Sequence, residues 1–198
     1  MERLKGGIYS YIGDNIYSTF SLKKEVYVLE NINNYAKTSR IIEALKMVNL
    51  SEDYLSKKSN NLSNTEYNKL RLATDLINNK KTIILDYFDR GLCYKEKEYF
   101  KRLFKKLAKD YGISFYIKTN DFSFCIDLVD EYLVFNGNTI VKSITKKDIY
   151  KEKVYRYYDK HQLIDFVMKS RYHNHLLDDY SDIKDLLKAI YRELEWDI

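Results

Sequence analysis

Two aspartates just after an apolar run are the first residues in this sequence that could do chemistry. Asp86 follows the run 82–85, and Asp89 comes three residues later. Carboxylates in this arrangement can hold Mg²⁺ or act as a general acid and base. However, an aspartate at a strand end commonly caps the next turn, and a carboxylate pair in a loop is commonly a polar turn. Because no phosphate-binding glycine loop accompanies them, we interpret Asp86 as a turn cap and Asp89 as a turn residue.

Histidines and cysteines are too few and too scattered to predict a metal centre. His173 and His175 are two residues apart, which is not a helical ligand spacing, and no cysteine or glutamate completes a ligand set. Cys93 and Cys125 form no Cys-x-x-Cys motif, which favours a reducing compartment over a disulfide scaffold. No sequence neighbour activates the Cys93 thiol. We therefore predict surface histidines, an inert Cys93 and no metal site.

Alternating strands and helices must position these residues. Ser63 followed by Glu66 is a capping box, which predicts a helix to about Asn79. The uninterrupted apolar run 82–85 is typical of a strand buried on both faces of a parallel sheet. The other patterns predict a strand at 8–12, two short helices within 26–54, a helix at 95–110 ended by Gly112, a strand at 113–118, a helix at 122–129, a strand at 131–135 and a turn at 136–138 into a strand at 139–141.

This alternation predicts an α/β fold, with a mainly parallel sheet and flanking helices. Residues 1–142 form the α/β domain in this interpretation, with a small helical subdomain at about 26–79. Apolar positions at helical spacing continue to the end of the chain, so we expect residues 143–198 to form a C-terminal helical extension.

Composition excludes several classes of function. The 198 residues carry 34 basic and 29 acidic side chains, and a net charge of +5 is too small to predict nucleic-acid binding. No apolar run approaches the ~18 residues of a membrane span, and the first residues lack the apolar core of a signal peptide. We expect neither membrane insertion nor secretion. Six lysines within 95–109 are interpreted as the solvated face of an amphipathic helix rather than a phosphate-binding stripe.

Residues 62–76 carry the most specific motif. Leu62-Ser63-Asn64-Thr65-Glu66, followed by Arg71 and Ala73, resembles the signature helix of ABC-transporter ATPases, LSGG[QE]xxRxxxARAL. The chain continues without a gap into 82–86, similar to the Walker B strand, and 87–93, where the family writes EPTSGLD. Other segments resemble the switch-loop strand (117–121), the closing strand (129–135), the start of the helical subdomain (28–32) and the approach to the Q-loop (9–14). The resemblance covers residues 8–142 and implies an ABC-ATPase-like core of the P-loop NTPase class.

The side chains that this resemblance implies for ATP hydrolysis are changed. Tyr87 stands at the position of the glutamate that polarises the attacking water, and a phenol does not act as a base near neutral pH. Asn64 and Thr65 replace the two signature glycines whose bare backbone would approach the γ-phosphate.

Further motif positions differ from the family pattern. The switch histidine is Asn120, and the Q-loop glutamine is Asp14. The D-loop-like segment is Gly91, Leu92 and Cys93, in which Cys93 replaces an aspartate. Asp86 is retained, but the role that the resemblance implies for it is to hold Mg²⁺ on a nucleotide.

The sequence contains no P-loop motif G-x-x-x-x-G-K-[ST]. Residues 31–38 have its spacing without either glycine, and they lie inside the helical-subdomain match. Only 13 residues precede Asp14, so the chain resembles the second half of an ABC ATPase, and we expect the strand before the P-loop to be missing. In the family that strand lies between the switch-loop strand and the closing strand. We therefore expect the sheet to close up, borrow a strand or leave an edge exposed.

The resemblance implies a degenerate, catalytically inactive ABC ATP-binding-cassette-like subunit with a structural or regulatory role in a membrane transporter complex, with an exporter among the candidates. The expected partners are an intact ABC ATPase, a membrane permease, or both, at the inner face of the cell membrane in the cytoplasm. We expect no cofactor of its own, with ATP and Mg²⁺ only as presented by an intact partner to Ser63. The alternative is a freestanding interaction protein that mimics half of an ABC ATPase and modulates transporter assembly.

Overall fold

The computed structural model describes residues 6–12, 28, 32, 37–136, 139–149, 151–152, 154–158, 187–188 and 191–192. The chain divides into two compact units. Unit 1 comprises residues 1–6 and 17–115, and unit 2 comprises residues 7–16 and 116–198. The two units are described separately below.

Among the described residues, five strands form a sheet with the order β2-β3-β1-β4-β5. β1 (Ile8–Ile12) pairs in parallel with β4 (Glu131–Asn136), with Tyr9 opposite Glu131. β4 continues into β5 (Thr139–Thr145) as an antiparallel pair. β2 (Thr82–Asp86) and β3 (Ser114–Lys118) complete the sheet. The predicted α/β class with a mainly parallel sheet is confirmed.

β1 occupies the position that was expected to be missing. It lies between β3, which carries the switch-like segment, and β4, the closing strand. The resemblance reserves this position for the strand that precedes the P-loop. Ile8–Ile12 thus fills the place where a gap was expected, and the likeness of residues 9–14 to the approach to the Q-loop stays a prediction. Asp14 lies outside the described residues, and its role stays a prediction.

The helices of unit 1 follow the predicted pattern closely. α1 (Thr38–Met47) is the described part of the predicted helical pair in 26–54, and Val28 and Ile32 are also helical and buried. Two short 3₁₀ turns, Glu52–Ser56 and Ser59–Asn61, lead into α2 (Asn64–Ile77). α3 (Tyr94–Tyr111) ends at Gly112, which has the left-handed conformation typical of a helix C-terminus.

Aromatic side chains fill the core of unit 1. Phe88 packs edge-on against Phe100, with ring centroids 4.8 Å apart, and Phe104 lies 4.8 Å from Phe115. All four rings are almost completely inaccessible to solvent. Strand β2 is less buried than its sequence predicts, because Ile83 and Leu85 are buried while Ile84 between them is half-buried. Its two faces are therefore covered unequally.

Part of the C-terminal region packs into the core of unit 2, where Ile149, Val154 and Tyr158 are buried. α4 (Phe122–Ile126) is shorter than the predicted helix, and β5 runs to Thr145, past the predicted boundary at residue 142. Two 3₁₀ turns follow, Lys146–Asp148 and Val154–Tyr157. The next residue, Tyr158, is buried, and its hydroxyl lies 2.5 Å from Ser10 Oγ on β1.

Residues 187–188 and 191–192 are helical, and the rest of 159–198 lies outside the described residues, so the C-terminal helical extension stays a prediction. In the described part of the chain, no helix has the length and apolar character needed to cross a bilayer. No cluster of three or more candidate metal ligands is found in the same part of the chain.

Candidate functional site

The start of α2 presents the signature-like residues. Ser63 is the N-cap: its Oγ accepts from Glu66 N at 3.3 Å, and Glu66 Oε2 accepts from Ser63 N at 2.7 Å. This is the capping box that the sequence predicts, and each partner satisfies a backbone N–H that the helix leaves unpaired. Leu62 is half-buried, whereas Ser63 and Asn64 are exposed.

Glu66 is also held from the preceding 3₁₀ turn. Tyr54 donates its hydroxyl to Glu66 Oε1, and Lys57 Nζ lies 3.9 Å from the same oxygen and 3.6 Å from the centroid of the Tyr54 ring. The hydrogen bonds from Tyr54 and from the Ser63 backbone lower the pKa of Glu66, and the same contact with Glu66 raises the pKa of Tyr54. Glu66 is therefore an ionised carboxylate at neutral pH.

The loop 87–93, which resembles EPTSGLD, is backbone-strained. Tyr87, at the position of the family's catalytic glutamate, has a φ of 49°, a value that a residue with a bulky side chain rarely adopts. The Arg90 guanidinium lies 3.8 Å from the centroid of the Tyr87 ring, and Arg90 N donates to Tyr87 O. Stacking and turn formation thus stabilise the strained conformation.

Thr65 and Gly91 fit against each other in the same region. Thr65 Oγ1 donates to Arg90 O at 3.2 Å, which joins the signature-like helix to the D-loop-like segment. Gly91 has a φ of 79°, and a Cβ on it would lie 2.3 Å from Thr65 Oγ1. The side chain at position 65, where the family writes glycine, is therefore accommodated only because position 91 has no side chain.

The start of α3 carries a second glutamate in the third helical position. Glu96 Oε2 accepts from the backbone N–H of Cys93, the exposed N-cap, at 3.1 Å. The other oxygen, Oε1, lies 2.6 Å from Nζ of Lys69, a buried lysine on α2. The hydrogen bond from Lys69 lowers the pKa of Glu96.

Asp86 lies exposed at the end of β2. Its carboxylate makes no hydrogen bond or ion pair among the described residues, so its predicted role as a turn cap is not found there. A cavity of about 10 Å³ beside it, lined by Arg71 and Phe88 among others, has room for no more than one water molecule. Arg71 instead donates to Ile84 O at 2.6 Å and satisfies a carbonyl of β2.

The remaining candidate residues lie elsewhere in the chain. Asn120 is half-buried in unit 2, between β3 and α4, and Asp14 lies outside the described residues. His173 and His175 also lie outside them. Unit 1 therefore brings together the signature-like residues and the D-loop-like segment, with Tyr87 between Asp86 and Arg90.

The signature-like region differs from the arrangement that the resemblance implies around a nucleotide phosphate. The resemblance implies two glycines whose bare backbone the γ-phosphate approaches, but here the Thr65 side chain fills the space in front of Gly91. The cavity beside Asp86 is smaller than any phosphate group needs. The described side chains of this region instead form hydrogen bonds and stacking contacts with each other.

Sequence comparison relates the chain to ATP-binding proteins of membrane transporters. It is 26% identical over 148 residues to the spermidine/putrescine import ATP-binding protein PotA of Haemophilus ducreyi, and 25% identical to the PotA protein of Escherichia coli K12. These matches cover 70% of the chain but only 40% and 39% of the relatives, so the chain spans about two fifths of the length of the curated relatives it matches. No family model matches the chain.

Solved structures show the same fold. The dimeric bacterial ABC transporter cassette MJ0796 matches with a TM-score of 0.55 and 23% identity, over 71% of this chain and 62% of that one. CbiO1 from Clostridium perfringens, part of the ABC transporter complex cbiONQ, matches with a TM-score of 0.56 and 16% identity over 87% of each chain. The sequence similarity therefore relates about 70% of the chain to ATP-binding proteins of ABC transporters, and the structural similarity shows that the chain has their fold.

Sequence reasoning missed several residues that hold this region together. Tyr54 and Lys57 contact Glu66, Lys69 pairs with Glu96, and Arg90 stacks on Tyr87. The Cys93–Glu96 spacing was a usable signal, since glutamate three residues after an N-cap is a helix-start pattern, but cysteine is an unusual N-cap. The other contacts join separate elements and leave no periodic signal in the sequence.

Proposed function

We propose that this chain is a catalytically inactive ABC ATP-binding-cassette-like subunit. The observation that carries the proposal is Tyr87, which stands where the resemblance implies the catalytic glutamate. Its phenol cannot accept a proton from water near neutral pH. Its left-handed backbone and the stacked Arg90 hold the side chain in a role that is structural rather than chemical.

The signature-like region supports the same proposal. The Thr65 side chain occupies space that a glycine at position 65 would leave open, and its hydroxyl joins α2 to the loop through Arg90 O. Asn120 replaces the switch histidine that the resemblance implies. The threonine side chain crowds the approach of a phosphate to the backbone at position 65, and the change at position 120 removes the imidazole that would contact the γ-phosphate.

We propose a structural or regulatory role for the chain in a membrane transporter complex. The relatives named above are an import ATP-binding protein and ABC transporter cassettes, which supports a transporter as the setting. The partners in this proposal are an intact ABC ATPase, a membrane permease, or both, which would hold the chain at the inner face of the membrane. ATP and Mg²⁺ would then be bound by the partner ATPase.

ATP hydrolysis by the purified chain in the presence of Mg²⁺ tests the inactivity. We expect no phosphate release above that of a buffer blank for the wild-type chain. The Tyr87→Glu variant should also be inactive, because it restores only one of the changed positions. Turnover by the wild-type chain that Tyr87→Phe leaves intact and Asp86→Asn abolishes would overturn the proposal.

Affinity co-purification from native membranes tests the role. Recovery of a polytopic permease together with an ATPase that has an intact P-loop would support the subunit assignment. Recovery of the chain alone would contradict it and favour the freestanding interaction protein. A matched Gly91→Ala variant, which disturbs the D-loop-like segment, should recover less of the ATPase if this segment contributes to the contact.

A further inference from the structure

A groove lies at the opposite end of α2 from the signature-like residues. Its walls are α1, the end of α2 with the turn that follows, and the end of α3 with Ile113, two residues after that helix. The cavity has a volume of about 220 Å³ and lies entirely within unit 1. Since α2 has 14 residues, about 20 Å of helix separates the groove from Ser63.

The floor of the groove is apolar. Ala44, Ile77, Leu107 and Ile113 are buried and line it, together with the half-buried Leu76. An apolar floor of this kind favours the alkyl or aryl part of a ligand, because burying that part removes apolar surface from water.

Large exposed side chains stand at the groove on two sides. Met47 at the end of α1 is 37 % exposed, and Tyr111 at the end of α3 is 59 % exposed. Both residue types are enriched where proteins bind other molecules, because methionine is flexible and polarizable and tyrosine presents a large amphipathic ring.

Three cationic residues surround the floor. Arg40 donates from Nη2 to Asn79 Oδ1 at 2.5 Å, and Lys81 Nζ donates to Tyr111 O at 2.9 Å. Lys80 Nζ lies 2.5 Å from Asp75 Oδ1. Each cation has one such contact among the described residues, and a guanidinium has five N–H donors while an ammonium has three. These contacts fix the cations at the groove and leave donors for a ligand.

Glu43 is the acidic residue that lines the groove beside Arg40, Lys80 and Lys81. The lining therefore carries more positive than negative side chains, over an apolar floor. This combination is complementary to a molecule that has an anionic head and an apolar tail.

We propose that this groove binds a small amphipathic anion, a carboxylate or a phosphate monoester attached to a short alkyl or aryl group. The head contacts Arg40 and Lys81, and the tail lies on Ile77 and Leu107. The volume is below the 300–1,000 Å³ typical of sites for drug-sized ligands, so the ligand is small. This site is independent of the proposed transporter role, since neither the signature-like residues nor the loop 87–93 contributes to it.

Titration of the ¹⁵N-labelled full chain with sodium octanoate, followed by ¹H–¹⁵N spectra, tests the proposal. We expect one saturable site with a Kd on the order of 0.1–1 mM. The shifted amides should lie in residues 40–47, 76–81 and 107–113. Octanol, which has the tail without the charge, should bind at least about tenfold more weakly. Octyl phosphate in a parallel titration distinguishes a phosphate site from a carboxylate site.

Three variants locate the head group. Lys81→Gln and Arg40→Gln should each weaken octanoate binding about three- to tenfold, because each removes one charge-assisted contact. Lys105→Gln, an exposed lysine on the same helix as Tyr111 but outside the groove, should leave the Kd unchanged. All three side chains are exposed, so the variants are expected to fold.

Three results would overturn the proposal. The first is the absence of saturable binding up to 10 mM octanoate, roughly tenfold above the expected Kd. The second is equal affinity for octanoate and octanol, which would show that the cations do not contribute. The third is an equal loss of affinity in Lys105→Gln and Lys81→Gln, which would show a general effect of net charge.

Discussion

Helices α2 and α3 begin with the same hydrogen bond between a glutamate and the N-cap backbone, but the two glutamates have different further partners. In both, a glutamate in the third helical position accepts from the backbone N–H of the N-cap, Ser63 in one and Cys93 in the other. Glu66 is then held by Tyr54 and Lys57 from the preceding turn, where the Lys57 side chain is 42 % exposed. Glu96 reaches Lys69, whose side chain is only 9 % exposed.

The difference shows how one motif can serve two purposes. At α2 the Glu66 carboxylate accepts from a backbone N–H near the surface, where water can replace each hydrogen-bond partner of the carboxylate. At α3 it also neutralises a buried ammonium on another helix, and water replaces that partner poorly. The same spacing in the sequence therefore marks a local cap in one case and a tertiary contact in the other.

Removing each glutamate should separate the two cases most clearly. We expect Glu96→Ala to lower the free energy of unfolding by about 2–3 kcal/mol, because it leaves the buried Lys69 ammonium without its carboxylate. Glu66→Ala should cost about 1 kcal/mol. Urea denaturation measures both. The double variant Lys69→Met/Glu96→Ala should recover most of the loss, and equal costs for the two single variants would contradict the comparison.

Gly91→Ala tests the loop that lies between the two helix starts. The substitution places a Cβ 2.3 Å from Thr65 Oγ1 and forces alanine to a φ of 79°, so we expect a loss of about 2 kcal/mol. Adding Thr65→Ala should recover the steric part and leave the backbone strain. The melting temperatures of the single and double variants separate the steric contribution from the contribution of backbone strain. A full recovery in the double variant would show that backbone strain at position 91 is negligible.

Acidification should weaken both helix starts. The pKa values of Glu96 and Glu66 are lowered from an ordinary value of 4.5, by the hydrogen bonds from Lys69 and Tyr54 respectively. Their contribution to stability is therefore fully present above about pH 4.5 and is lost as the pH falls through the folded pKa values. Chemical denaturation between pH 7 and pH 3 measures this loss. Each of Glu96→Gln and Glu66→Gln should flatten the profile, and an unchanged slope would contradict the assignment.

Exchanging the two N-caps should produce the smallest effect. A hydroxyl accepts a backbone N–H better than a thiol does, so Cys93→Ser should stabilise the chain by about 0.5 kcal/mol. Ser63→Cys should destabilise it by a similar amount. Paired thermal denaturation of the two variants measures the exchange. A change of the same sign in both would show that factors other than capping dominate at these positions.

Local patterns predicted the elements well where the signals lie close together in the chain. Ile8–Ile12 is the predicted strand, α2 begins at its predicted capping box, and Gly112 ends α3 as predicted. Periodicity and turn chemistry depend on neighbours within a few residues, so a single sequence contains them. The predicted solvated face of α3 is found only in part, because Lys95, Lys105, Lys106 and Lys109 are exposed whereas Lys97 and Lys101 are half-buried.

The order of the strands could not be predicted in the same way. The sequence interpretation assigned residues 9–14 to the approach to a Q-loop and expected the central strand to be missing. In the structure Ile8–Ile12 is that central strand, paired with β4 more than 100 residues away in sequence. The alternation of residues along β1 fits a strand at either position, because pairing partners are not encoded in periodicity.

The sequence by itself determined the α/β class and the likeness to ABC-transporter ATPases, since these depend on residue identity and spacing. Tertiary structure alone decided which distant side chains meet. It joined the Ser10 hydroxyl on β1 to the Tyr158 hydroxyl, 148 residues away in sequence, and it placed Cys125 Sγ 3.6 Å from Ser10 Oγ. It also placed Lys69 against Glu96. Burial raises the pKa of Tyr158 well above its ordinary value. Such contacts are selected by the packing of whole elements, where a buried polar group needs a partner wherever in the chain that partner lies.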